Sequence, residues 1–218
     1  MARLNQRTPI VANPEPKGEG FSICALFGSR RALNYLYMKV TNTLMFGALG
    51  AVSGFLSAVA TDTLQHYYQW SDAPWYTAGI MFGIFIAIGI LMRRDREATL
   101  LFRLPLWIVG STASYFIAVK TVQLLIEGTN VAPRYGEFLI AGGAGALAML
   151  ASFSILLFGL ELKELGILVV FGTALGLTWF LGDPASELWY QKQFFTLYVC
   201  WQTGMALGLG MALDRRRS

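Results

Sequence analysis

Apolar runs about as long as a lipid bilayer is thick recur along this chain, and they limit its fold more than any other feature. Crossing ~30 Å of hydrocarbon takes ~20 apolar residues at ~1.5 Å each. Six runs approach that length, at approximately 41–61, 75–92, 104–126, 137–160, 165–182 and 193–213. They lack the polar face at helical spacing that a helix of a soluble domain needs, and they lack the period-two alternation of an outer-membrane strand. Charge content agrees, at 14% of residues against about 25% in ordinary soluble domains. The expected fold is all-α: a polytopic membrane protein, a compact bundle of six transmembrane helices with an interfacial helix at its N-terminal side.

Charge placement predicts orientation. Arg3, Arg7, Lys17, Arg30, Arg31 and Lys39 precede the first run; Arg93, Arg94, Arg96 and Arg103 follow the second; Lys163 follows the fourth; Arg215, Arg216 and Arg217 follow the sixth. Only Lys120, Arg134 and Lys192 fall to the other side. By the positive-inside rule both termini are cytoplasmic, in the cell (inner) membrane. The net charge of +4 then needs no nucleic acid, and anionic lipid headgroups are the expected partners of these clusters. The opposite loops collect Tyr67, Tyr68, Trp70, Trp75, Tyr76, Tyr135, Trp189 and Tyr190, residue types that settle at headgroup depth. Asp183-Pro184 there reads as the start of a short surface helix.

Domain organisation follows from composition. Residues 1–20, with three prolines and two glycines, read as a flexible cytoplasmic arm without a signal-peptide apolar stretch. Residues 21–40 carry Leu33, Leu36, Tyr37 and Val40 at helical spacing among basic residues and read as an interfacial helix or as an extension of the first span. Residues 41–213 form the transmembrane domain, and 214–218 a basic tail.

Within the fourth run the stretch GGAGALAMLAS would make a poor core in water, where small side chains bury little area. In lipid, helices associate by close backbone approach, which small residues four apart allow. Each run has such a track: Gly50, Gly54 and Ala58; Gly79, Gly83 and Ala87; Gly110, Ser114 and Ala118; Ala144, Ala148 and Ser152; Gly172 and Gly176; Gly204, Gly208 and Ala212. The sequence therefore predicts tight helix packing, with the fourth span central in the bundle or at a subunit contact and the bulkier second span, including Ile84, facing lipid.

Chemistry-bearing residues are few. His66, with Asp62 four residues earlier, supplies two of the ligands a metal site needs and does not complete one. Cys24 and Cys200 fall at different depths, and no HExxH, CxxC, GxSxG or Walker-type motif occurs. No metal and no cofactor is expected. Two polar side chains inside the runs are the candidate ligand-binding residues: Lys120, which otherwise snorkels outward, and Gln202, which otherwise hydrogen-bonds a neighbouring helix. No run carries Asp or Glu near its centre, which argues against a proton relay of carboxylates. These features favour a non-enzymatic subunit of a larger membrane assembly of transport or secretion type, packed against other subunits or itself. A self-sufficient small-solute transporter or channel, possible as a homo-oligomer, is the alternative; an intramembrane enzyme is disfavoured for want of nucleophile, base or metal.

Overall fold

The computed structural model describes residues 23–68, 73–93, 98–127, 135–182 and 193–215. Six α-helices follow one another: α1 (Ile23–Tyr68), α2 (Ala73–Met92), α3 (Ala98–Glu127), α4 (Tyr135–Leu156), α5 (Leu162–Leu175), which tightens into a 3-10 turn over Gly176–Leu181, and α6 (Gln193–Arg215). Two compact units divide between Leu36 and Tyr37. In the first, the segment from Ile23 is helical and forms the leading part of α1; the arm at 1–20 lies outside the described residues. All that follows concerns the second unit, Tyr37–Ser218.

Among the described residues, four stretches are long and apolar enough to cross a membrane: Asn42–His66, Leu100–Ile126, Tyr135–Leu156 and Leu162–Leu181. This is fewer than the six runs in the sequence. The apolar part of α2, Tyr76–Met92, is 17 residues long, about 26 Å of helix. α6 is long enough at 23 residues, but Gln193, Gln202, Thr203, Asp214 and three glycines dilute its apolar character. α3 runs unbroken through Pro105.

Consecutive helices run antiparallel, as the positions where glycines meet the next helix establish. A Cβ at Gly89 of α2 would meet Phe46 and Leu49 of α1; at Gly83, Ile108 of α3; at Gly110, Ser152 of α4; at Gly142, Gly172 and Gly176. Gly204 and Gly208 of α6 approach Leu175 and Leu168 of α5, while Gly47, Gly50 and Gly54 of α1 approach Leu207, Gln202 and Tyr198 of α6. The last helix thus returns beside the first.

α6 is enclosed on several sides. Tyr198, Trp201, Gln202, Met205, Ala206, Leu209, Ala212 and Leu213 are all buried, and the helix touches α2 through Phe82–Trp201 and α3 through Tyr115–Trp201. The reason is local: glycines at 204, 208 and 210 and alanines at 206 and 212 make α6 small on several sides at once. On α4 the deep positions are Gly145, Ala146, Met149 and Leu150, whereas Ala144 and Ala148 stand half-buried beside them. α2 also departs from the lipid-facing role expected of it. Its Ile80, Ile84 and Ile88 stripe is exposed, but Ala78, Phe82, Ile86 and Ile90 are core. Large apolar side chains also cover the outside of α3, among them Phe102, Leu106, Val109 and Leu124. Hydrocarbon, rather than water, suits such a surface.

Candidate functional site

A polar seam runs along the contact of α1, α2 and α6. Gln202, fully buried, accepts a hydrogen bond from Ser53 Oγ at 2.6 Å, and its amide nitrogen donates to Ser57 Oγ and to the Ala78 carbonyl, both at 3.2 Å. One turn further along, the Thr61 and Thr77 hydroxyls meet at 2.7 Å. Every polar atom of the Gln202 amide group is therefore engaged by protein, which offsets the cost of burying it.

Beside this seam lies a cavity of about 350 Å³, within the range of small-molecule sites. It occupies the half of the bundle in which α1 and α3 end and α4 and α6 begin. α3 lines it from Ser114 to Ile126, about 18 Å of helix. Facing α3 are Phe138 and Gly145 of α4, Trp179 of the 3-10 turn, and Leu197 and Trp201 of α6.

The aromatic walls are held in place. Trp201 Nε1 donates to the Gly172 carbonyl at 3.1 Å, and its ring meets Tyr115 edge-on with centroids 5.1 Å apart. Phe138 stacks on Trp179 at 5.1 Å. Glycines make the space: Gly142, Gly145 and Gly176 all border it, and a side chain at Gly176 would collide with the Phe138 carbonyl. Tyr115, at the inner end, has its hydroxyl buried near the Gln202 side chain. Gln65 and Gln123 add amide groups to a mostly apolar lining that also holds Ser114 and Tyr198.

Lys120 is exposed on α3, its Nζ donating to Gln123 Oε1 at 2.8 Å and standing 5.6 Å from the centre of the Phe116 ring. Lys120 is not part of the cavity lining, but its partner Gln123 is. Gln202 is not part of the lining. The two polar residues singled out in the sequence are therefore not brought together: one sits in a sealed interhelical network and the other at the edge of the cavity.

Compared with known proteins, the chain matches no family model, no curated protein and no solved structure.

At the opposite end of the bundle the structure builds a cluster from residues far apart in the sequence. Asp214 accepts from Thr43 Oγ1 at 2.9 Å and Asn42 Nδ2 at 3.5 Å, and Arg93 lies 3.8 Å away, donating also to the Leu213 carbonyl at 3.3 Å. Both charged side chains are nearly sealed from solvent. α6 continues through Arg215, so Asp214 is a helical core residue rather than the first residue of a tail, and Arg93 is an internal partner rather than a headgroup contact. The cluster fastens α1, the end of α2 and α6 together. Asp62 is half-buried and His66 exposed at the end of α1. No group of three or more His, Cys, Asp or Glu residues placed to hold a metal ion occurs among the described residues. Cys200 is a free, half-buried thiol. Tyr67, Trp70, Asp183, Pro184, Trp189 and Tyr190 lie outside the residues whose side chains are described.

Proposed function

We propose that this chain is a non-enzymatic membrane protein that crosses the cell (inner) membrane six times, with both termini cytoplasmic, and that it works by holding one apolar chain of a lipid-class molecule inside its bundle. The cavity carries this reading. Its walls are aromatic and aliphatic, it reaches about half-way into the helices, and at ~30 Å³ per water-sized group its volume takes about a dozen such groups. Apolar cavities favour apolar occupants over water. The antiparallel order of all six helices supports six crossings, and the basic clusters support the orientation.

A purely adhesive subunit role is less well supported. The small-residue tracks that suggested it are used inside the chain: Gly50 and Gly54 against α6, Gly79 and Gly83 against α3, Gly172 against Ala146 and Met205. A reporter joined after Ser218 should be active as a cytoplasmic fusion; activity only on the far side would invert the topology.

The binding reading is tested by filling the cavity. Val122 of α3 lines it. Val122→Trp should weaken binding of a labelled sixteen-carbon alkyl chain to the purified protein by more than about tenfold. Leu197→Trp, on the facing wall, should do the same, while Ile84→Trp on the exposed stripe of α2 should not. Unchanged binding in both cavity variants, with normal elution, would overturn the reading.

A further inference from the structure

The polar end of the bound molecule has a counterpart at the cavity edge. Lys120 is a cation part-way along a membrane-crossing stretch, seven residues from the end of α3, about 10 Å of helix. A charge at such depth is costly unless it is paired or reaches water. Among the described residues its hydrogen-bond partner is the neutral Gln123 amide, and no carboxylate pairs with it. Gln123 itself lines the cavity, so the ammonium group is tethered beside the space that receives the chain. Room for about a dozen groups takes most of one sixteen-carbon chain and leaves none for a second.

Resting on the binding reading above, we propose that the occupant is a single-chain amphiphile with an anionic head, its chain in the cavity and its head against Lys120 Nζ. An ammonium recognises an anion as a point charge and sets no demand on geometry, so a fatty-acid carboxylate and a lysophospholipid phosphate share the chemistry. Breaking the Lys120–Gln123 bond strands no buried group, because Lys120 is exposed and Gln123 faces the cavity. The exchange of an amide partner for an anion replaces a neutral acceptor by a charged one, which makes the stronger bond.

The test compares ligands that differ only in the head. Binding of palmitate, hexadecanol and an anionic lysophospholipid is measured on the detergent-purified full chain and on Lys120→Met, Lys120→Arg and Val122→Trp. Lys120→Met should weaken palmitate binding about tenfold while leaving hexadecanol within about twofold, and Lys120→Arg should retain palmitate. Lys120→Met should elute and melt as the parent does, since its aliphatic stem is preserved. Dependence on Lys120 for the lysophospholipid alone would support the head contact and name phosphate as its source. Equal binding of palmitate and hexadecanol, untouched by Lys120→Met but lost in Val122→Trp, would overturn the head contact and leave the cavity reading standing. Binding of no ligand, or binding indifferent to Val122→Trp, would overturn both.

Discussion

Gly54→Ala should destabilise the bundle by about 2–3 kcal/mol, the cost of overpacking a close-fitted contact. A methyl group at Gly54 would lie 2.6 Å from the Tyr198 carbonyl oxygen and 2.7 Å from the Val199 Cα. Both obstacles are backbone, so no rotamer change relieves them. α1 and α6 must separate, and with them the seam at Ser53 and Gln202, whose shortest bond is 2.6 Å. Gly166 in the second turn of α5 is the internal control, because an added Cβ there meets nothing within 4 Å. Gly166→Ala should be neutral or stabilise by up to ~1 kcal/mol through helix propensity. Unfolding by denaturing detergent, followed by helicity and by tryptophan emission, separates the two. Equal stability for both alanine variants would mean that α1 and α6 do not meet at Gly54.

Gln202→Met should cost about 2 kcal/mol. Methionine keeps the length and most of the shape of glutamine, so what is lost is three hydrogen bonds, to Ser53, Ser57 and the Ala78 carbonyl. Side-chain hydrogen bonds between membrane helices average ~0.6 kcal/mol each, and stranding a buried donor adds to that. The part of the loss that comes from the stranded Ser53 hydroxyl should be restored in the double variant Gln202→Met with Ser53→Ala, because no hydroxyl is then left without its acceptor. A double variant as unstable as the sum of the single ones would contradict the network, since groups in contact are expected to couple.

How much of this was legible beforehand varies from residue to residue. The helical class and the membrane solvent follow from run length and charge content, which are local properties. Gln202 is conspicuous as an amide amid apolar neighbours, but its partners come from positions about 145 residues earlier in the chain, and spacing cannot choose among the serines available. The glycines at 204, 208 and 210 are as visible as those of the fourth run, yet the longer small-residue run points to α4 as the span that is central or at a subunit contact. Smallness on one face says that a helix can be approached; smallness on several faces, as in α6, says that it is surrounded. Asp214 looked like part of a charged tail because it precedes three arginines, and only the fold brings Arg93, Thr43 and Asn42 to it. The cavity was not legible at all. It is a space left between Ser114–Ile126 of α3 and the starts of α4 and α6, and no single stretch of sequence encodes it. Its signals, Gly142 and Gly145 opposite Val119 and Val122, look the same as ordinary packing.

The polar seam and the cavity share the helices that form them. Tyr198 and Trp201 line the cavity, while Gln202, the next residue, anchors the seam. The rigid side of α6 thus faces α1 and α2, and the receptive side faces α3 and α4. Sealing Gln202 in hydrogen bonds fixes the helix that carries the aromatic wall, so Gln202→Met should also loosen the Trp201 environment.

The central claim, that an apolar chain occupies the space between α3, α4 and α6, is tested most directly by mapping where such a chain reacts. An alkyl carboxylate carrying a photoreactive diazirine near its terminal carbon would be bound to the purified protein, irradiated, and its adducts located by peptide sequencing. Adducts are expected on the inner lining, at Tyr115, Ala118, Gly145 or Trp201, with their loss on competition with palmitate. Adducts confined to the outward residues Phe102, Val109, Leu124 and Ile84, and insensitive to competition, would contradict it.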